Sequence, residues 1–99
     1  MTTEEKVKVM KLIKQHCIPS NRYYKWSSYS LKEVFEKLAG CYISNDEFKI
    51  LMRKAGFIAT PRSRNEINHR YKLRVSESPG ISIYFRGNGA EAYKYNDKI

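Results

Sequence analysis

Basic side chains are concentrated in one stretch of the chain, between positions 49 and 74. Glu66 is the single acidic residue in that stretch. The eight basic residues are Lys49, Arg53, Lys54, Arg62, Arg64, Arg70, Lys72 and Arg74. Arginine can bind phosphate or a base edge through two parallel hydrogen bonds, whereas lysine acts mainly as a point charge toward phosphate. These residue types at this density predict the binding of a polyanion.

The whole chain carries the same bias. It has 19 Lys+Arg against 10 Asp+Glu, which gives a formal net charge of +9 and a pI near 9.7 in only 99 residues. Nucleic acid is the commonest partner of such a chain, because each neutralised phosphate also releases counterions. An anionic membrane or an acidic protein surface would attract the same charge, and a merely soluble basic protein is the simplest alternative.

The pattern of acidic, histidine and cysteine residues gives no support for catalysis. Glu5, Glu33 and Glu47 each stand three residues after a Ser or Thr and are expected to cap helices. The histidines and cysteines lack the paired short spacing of a zinc site, and Gly87-Asn88-Gly89 lacks the context of a phosphate-binding loop. We therefore expect a protein that is not an enzyme and uses no metal or cofactor.

The location expected from the sequence is the cytoplasm. The first residues are charged and lack the apolar run of a signal peptide, and no window is apolar enough to span a membrane. Cys17 and Cys41 lie within apolar patterns, which is typical of reduced thiols in a core. The expected organisation is one domain over residues 1–88 with a weakly ordered tail at 89–99, in a monomer or homodimer.

Three helices are predicted from capping boxes and apolar spacing. Thr2 with Glu5 opens a helix over residues 3–17, which Pro19 ends. Ser30 with Glu33 opens a second helix over residues 31–39, and Gly40 supplies its left-handed C-cap. A third capping box, at 44–47, opens a helix that ends before Gly56. The third helix is the one expected to enter a groove.

Strands are predicted after the third helix, where apolar residues begin to alternate with polar ones. The pattern favours an antiparallel sheet of three strands at 57–59, 68–75 and 81–86. The turn-forming residues 61–66 between the first two strands would form the tip of a wing. This arrangement predicts an α+β fold of the winged helix-turn-helix type, with three helices followed by a small sheet.

The predicted connector at 20–29 carries aromatic rings interleaved with basic residues. Tyr23 and Tyr24 could stack on unpaired bases while Arg22 and Lys25 hold phosphates. Packing over the end of the core is the alternative, and we favour it for Trp26 and Tyr29 in the same segment. Spacing alone does not separate the two for the first four residues.

The candidate binding residues follow from these elements. Asn45, Lys49 and Arg53 recur about one turn apart on the third helix and are predicted to contact base edges or the groove, with Lys54 beside them. Arg62 and Arg64 are predicted wing contacts. Arg70, Lys72 and Arg74 are predicted phosphate contacts, and each of these residues could instead be an ordinary solubilising charge.

Part of the chain also resembles a known pattern. The segments concerned are Ser28-Tyr29-Ser30-Leu31-Lys32, Phe35-Glu36, Gly40-Cys41-Tyr42-Ile43-Ser44-Asn45, Phe48 with Met52, and Ala55-Gly56-Phe57. They resemble small winged-helix proteins of phages and mobile elements of Gram-positive bacteria, and are similar to the winged-helix domain appended to phage and poxvirus-type helicase-primases. The resemblance spans residues 28–73, roughly half the chain, and its residues are mainly structural.

The resemblance implies a nucleic-acid-binding module in a bacterial host cell. The leading hypothesis is binding of double-stranded DNA through the third helix and wing, by a phage or mobile-element regulator or replication accessory. A phage-encoded inhibitor that binds a host protein, such as a replication factor or a CRISPR nuclease, with the same basic face is the main alternative. Binding of a single strand or RNA through residues 23–26 is the other.

Overall fold

The computed structural model describes residues 1–60 and 66–76. Three helices and two strands follow one another in the order α1 (Thr3–His16), β1 (Cys17–Tyr23), α2 (Ser28–Ala39), α3 (Asn45–Lys54) and β2 (Lys72–Val75). The strands form an antiparallel pair, and all three helices contact one another. The fold is α+β. The predicted wing residues 61–65, the predicted strand 81–86 and the tail 89–99 lie outside the described residues.

Helix α1 begins as its sequence predicts. The Thr2 hydroxyl accepts a hydrogen bond from the Glu5 amide at 3.0 Å, and the Glu5 carboxylate accepts one from the Thr2 amide at 2.9 Å. Two amides at the helix start thereby find acceptors. The helix turns Val9 and Ile13 into the core and leaves its lysines exposed. Its end at His16 is one residue before the predicted one.

The prediction of an irregular connector at 20–29 is wrong in its first part, because β1 occupies Cys17–Tyr23. Its register with β2 pairs Cys17 with Val75 and Pro19 with Leu73, and then shifts before Tyr23 pairs with Lys72. The sequence does not predict this strand, because Pro19 lacks an amide hydrogen and the irregular register interrupts the alternation of buried and exposed side chains. An edge strand tolerates both features.

Helix α2 begins earlier than predicted and without the predicted capping box. Its N-cap is Ser27, which makes no side-chain capping bond, and the helix starts at Ser28 rather than near Leu31. The earlier start depends on a tertiary contact, because the Ser28 amide donates a hydrogen bond to the His69 carbonyl at 2.8 Å. The end is as predicted, with Gly40 in the left-handed conformation at φ 74°.

Helix α3 begins at the predicted position. The hydroxyl of its N-cap, Ser44, accepts a hydrogen bond from the Glu47 amide at 3.0 Å. The Glu47 carboxylate lies 3.3 Å from that hydroxyl and 3.0 Å from the Met1 ammonium group, which lowers the pKa of Glu47. After the helix, Gly56 has a φ of 101°, which only glycine adopts at little cost.

The sheet agrees in part with the predicted strands. Within the described part of the chain, residues 57–59 contribute an isolated bridge from Ala59 to Tyr71, and the Thr60 amide donates to the Arg70 carbonyl at 3.1 Å. Tyr71, the residue before β2, is therefore bonded to Tyr24 on one side and to Ala59 on the other. β2 is shorter than the predicted strand 68–75.

The core lies between the helices and one face of the sheet. Phe35 of α2 and Phe48 of α3 pack with their ring centroids 5.7 Å apart. Tyr71 and Leu73 cover them from the sheet side and are almost fully buried. The other buried apolar residues are Val9, Ile13, Cys17, Leu31, Val34, Ala39, Ile43, Leu51, Met52 and Phe57.

A hydrogen-bond junction joins the starts of α2 and α3 to the segment that leads into β2. The Ser28 hydroxyl donates to Asn45 Oδ1 at 2.9 Å and accepts from the His69 amide at 3.0 Å. Asn45 Nδ2 donates to the Ile67 carbonyl at 3.2 Å and to Asn68 Oδ1 at 3.0 Å. Two side chains thus fix three segments that are distant in sequence.

Replacing Asn45 with alanine is expected to destabilise the protein by about 1–2 kcal/mol, because the buried Ser28 hydroxyl is left without its acceptor. Urea unfolding followed by circular dichroism measures the change. Asn21→Ala removes the same group from an exposed position on β1 and should change the free energy of unfolding by less than about 0.5 kcal/mol. Equal effects of the two substitutions would contradict a structural role of Asn45.

Gly40→Ala should cost about 1 kcal/mol for a backbone reason alone. No atom lies within 4 Å of where the new Cβ would stand, so the cost comes from the left-handed conformation and not from a clash. Gly40→Asn should cost less, since asparagine visits that conformation more readily. Thermal unfolding of the two variants compares them, and an alanine variant as stable as the parent would refute the strain.

Candidate nucleic-acid interface

The exposed face of α3 forms one wall of an open groove of about 920 Å³. The opposite wall comes from residues 57–59, which follow the helix, and from His69 and Tyr71 at the start of β2. The residues of α3 that line it are Asp46, Lys49, Ile50, Arg53 and Lys54.

Arg53 and Lys54 are the exposed cations of this groove. Both lie in the last turn of α3, where positive charge is favourable near the helix C-terminus. Among the residues that the structure describes, no carboxylate lies within 4.0 Å of either group. The two side chains are therefore available to an anionic ligand.

Lys49 is less available than the sequence predicts. Its ammonium group donates to the Ile67 carbonyl at 2.8 Å and lies 3.4 Å from the Asp46 carboxylate. Its side chain is only 18% exposed. It contributes positive charge to the groove and also holds the segment before β2 against α3.

Asn45 has an internal role that spacing alone does not reveal. Both hydrogens of its amide and one lone pair of its oxygen are used in the junction with Ser28 and residues 67–68. A contact from Asn45 to a base edge would have to replace these bonds. The structure thus brings Lys49, Arg53 and Lys54 to the groove and turns Asn45 toward the protein.

Positive charge in the groove affects the pKa values of two side chains that line it, His69 and Tyr71. The pKa of His69 is lowered from 6.5 by burial first and then by the charges of Lys49 and Arg53. Burial raises the pKa of Tyr71, while Arg53 opposes that rise. The Tyr71 hydroxyl is buried and has no hydrogen-bond partner among the described residues. Arg53, His69 and Tyr71 all line the same groove.

Apolar side chains border the same groove. Ile50 and Ile58 line it and are 54% and 74% exposed, and Ile67 nearby is 79% exposed. Three exposed isoleucines around three cations make a mixed surface. The cations of such a surface can bind the phosphates of DNA, and the cations and isoleucines together can bind acidic and apolar side chains of a protein.

The remaining predicted cations lie elsewhere. Tyr71 and Leu73 point into the core, so Lys72 and Arg74, which alternate with them, lie on the opposite face of the sheet. Arg70 is exposed and donates to the Lys25 carbonyl at 2.9 Å. Basic residues that are close in sequence are therefore divided between two surfaces. Arg62 and Arg64 lie outside the described residues.

The aromatic residues after α1 also divide. Tyr23 is 50% exposed, and the Lys72 ammonium group lies 5.2 Å from its ring centroid. Tyr24 packs against the core and contacts Trp26 edge-on at 5.9 Å, and its burial raises its pKa to about 12. Trp26 packs as predicted, whereas Tyr29 is 48% exposed, against the prediction.

A cluster around Lys32 was not predicted. This lysine is only 6% exposed, and its ammonium group lies 3.4 Å from the Glu36 carboxylate. The rings of Tyr29 and Tyr42 lie 4.8 and 5.5 Å from the same ammonium group. The spacing of four residues between Lys32 and Glu36 was the available sequence signal, since such residues are neighbours on a helix.

Residues 1–60 and 66–76 hold neither a metal-binding cluster nor a membrane-spanning helix. No group of three His, Cys, Asp or Glu side chains there is placed to hold a metal ion. None of the helices in these two segments has the length and apolar character needed to cross a bilayer.

Comparisons with known proteins add no family. No protein-family model matches the chain, and neither the curated proteins nor the solved structures give a match. The resemblance to phage and mobile-element winged-helix proteins thus stays a prediction.

Proposed function

We propose that this protein is a non-enzymatic binder of double-stranded DNA, and that α3 is the element that enters the DNA groove. The observation that carries the proposal is that Lys49, Arg53 and Lys54 of α3 line one groove, in which Arg53 and Lys54 are exposed. Asp46 is the only acidic residue among those that line this groove in the described part of the chain. An exposed helix with this charge fits the width of the major groove.

The order of elements supports a winged-helix interpretation. A strand follows α1 and pairs with β2, and Tyr71, directly before β2, bridges Ala59. The bonds from Ala59 to Tyr71 and from Thr60 to Arg70 bring together the two ends of the segment 60–70. In a winged helix the wing occupies this place in the order of elements, and the sequence between the two joined ends includes Arg62 and Arg64. Wing arginines would add contacts to the DNA backbone or the minor groove.

The expected division of labour follows from the geometry. Arg53 and Lys54 contact phosphates, and Arg53 is also the residue with the chemistry to read a guanine edge. Lys49 adds positive field and holds the segment 67–68 in place. Asn45 orients α3 through the junction instead of reading bases. We propose a role in regulation or replication of a phage or mobile element, in keeping with the resemblance.

A protein partner is the second candidate, and the exposed isoleucines favour it. Ile50, Ile58 and Ile67 give the groove more exposed apolar surface than phosphate contacts need. An inhibitor that covers an acidic or nucleic-acid-binding surface of a host protein would use the same cations and these three anchors.

Ile58→Ser separates the two functions, because it should leave binding to duplex DNA within about twofold and weaken an apolar interface.

Removal of Arg53 and Lys54 tests DNA binding. The double variant Arg53→Ala, Lys54→Ala is expected to bind a random-sequence duplex more weakly, and the slope of log K against log salt should fall by about 0.9 for each phosphate that the variant no longer neutralises. Fluorescence anisotropy titrations at several salt concentrations measure both quantities. Neither residue forms an ion pair within the described part of the chain, so circular dichroism should show an unchanged fold.

The matched control is Lys11→Ala, Lys14→Ala on the exposed side of α1. It removes the same formal charge from another surface, so it should lower affinity slightly and leave the salt slope unchanged. Equal slopes for the two double variants would show that net charge, not the groove, governs binding. A parent protein that fails to bind duplex at low salt would overturn the proposal.

A further inference from the structure

We propose that the outer face of the β1–β2 sheet is a second binding site, and that its ligand is a single-stranded polynucleotide. Tyr23, Lys72 and Arg74 form its centre. This site is separate from the groove beside α3, and it goes beyond the proposed binding of duplex DNA.

The geometry of β2 separates the two sites. Tyr71 and Leu73 are buried against the helices, while Lys72 and Arg74 are exposed. Successive side chains of a strand point to opposite faces, so a ligand of Lys72 and Arg74 lies across the sheet from the groove that Tyr71 lines. One continuous duplex contact with α3 does not explain both sets of cations.

Among the described residues, the sheet side of the molecule is rich in positive charge. The segments 17–25 and 67–76, which form the sheet and its flanks, contain five basic residues and no acidic one. The basic residues are Arg22, Lys25, Arg70, Lys72 and Arg74. Arg70 is tied to the carbonyl of Lys25, which keeps it beside the sheet. A ligand that satisfies this surface must itself be strongly anionic.

An aromatic ring lies within this charge. Tyr23 pairs with Lys72 in the sheet register, is 50% exposed, and has the Lys72 ammonium group 5.2 Å from its ring centroid. A half-exposed ring can stack on a base, and the neighbouring ammonium group can then hold a phosphate of the same strand. Only unpaired bases offer a free π-face, which is why a single strand fits the site better than a duplex.

The Lys32 cluster shows what distinguishes the Tyr23 site. Tyr42 is 73% exposed and also has a lysine beside its ring, with Lys32 Nζ 5.5 Å from the centroid. That lysine is paired with Glu36, and α2 carries as many glutamates as lysines. The charges around Tyr42 and Lys32 are therefore balanced, and a surface without net positive charge does not attract a polyanion. Tyr42 therefore provides a matched control for Tyr23.

The experiment is an anisotropy titration with labelled oligothymidine and oligouridine of about 15 nucleotides, long enough to fill a site of this type. Tyr23→Ala should weaken binding of both by roughly 5- to 100-fold, the range for removal of one stacked base. Tyr23→Phe, which keeps the ring, and Tyr42→Ala should stay within about twofold of the parent. Lys72→Ala with Arg74→Ala should weaken binding and flatten its salt dependence.

An abasic oligonucleotide of the same length separates stacking from charge. It keeps the phosphates and lacks the bases, so its binding should be weaker than that of oligothymidine and insensitive to Tyr23→Ala. Equal binding of both oligonucleotides, or an unchanged affinity of the Tyr23→Ala variant for oligothymidine, would overturn the proposal in favour of a general anionic partner such as an acidic protein.

The two sites can fail separately. Arg53→Ala with Lys54→Ala should reduce duplex binding and leave oligothymidine binding nearly unchanged, and Tyr23→Ala should do the reverse. If duplex binding is absent while the Tyr23 dependence persists, the second site stands without the proposed function. If both pairs of substitutions weaken both ligands equally, the sheet face belongs to one shared surface and the second site is refuted.

Discussion

The hydrogen-bond junction of Ser28 and Asn45 is the constraint on which the groove depends. α2 and α3 pack through apolar side chains, which favour burial without fixing one orientation. The junction adds direction, because Ser28 must meet the His69 amide and Asn45 Oδ1 while Asn45 Nδ2 meets residues 67–68. Lys49 reinforces the arrangement through the Ile67 carbonyl. The position of α3 relative to the segment that leads into β2 is therefore fixed by polar bonds at one end of the helix.

Local signals in the sequence predicted most of the helical structure. Thr2, Ser44 and Gly40 act on backbone groups within four residues of themselves, so their effects can be predicted without knowledge of the fold. The start of α2 could not be predicted in this way, because Ser28 bonds to His69, which is 41 residues away. β1 was missed for a related reason, since its partner β2 and not its own sequence determines that it is a strand.

The sequence predicted the types of residue that form the site better than it predicted where those residues lie. Density of charge between positions 49 and 74 is a property of sequence, but alternation in β2 sends Lys72 and Arg74 away from Arg53. Helical spacing predicted that Asn45 lies on the same side of α3 as Lys49 and Arg53. It could not show that the Asn45 amide bonds to residues 67–68. The status of Tyr23 and Tyr24 likewise needed the structure, which exposes the first and packs the second against the core.

The balanced charges of α2 have a consequence for how the molecule meets a ligand. Lys32 and Lys37 are offset by Glu33 and Glu36 on the same helix, whereas the sheet and its flanks hold five cations and no acid. Within the described residues, positive charge is thus unevenly distributed between α2 and the sheet. In the field of a single-stranded polyanion, the cations of the sheet face favour encounters in which that face approaches first. Salt screens the field and will therefore weaken this preference. It will lower the association rate, while the dissociation rate changes less.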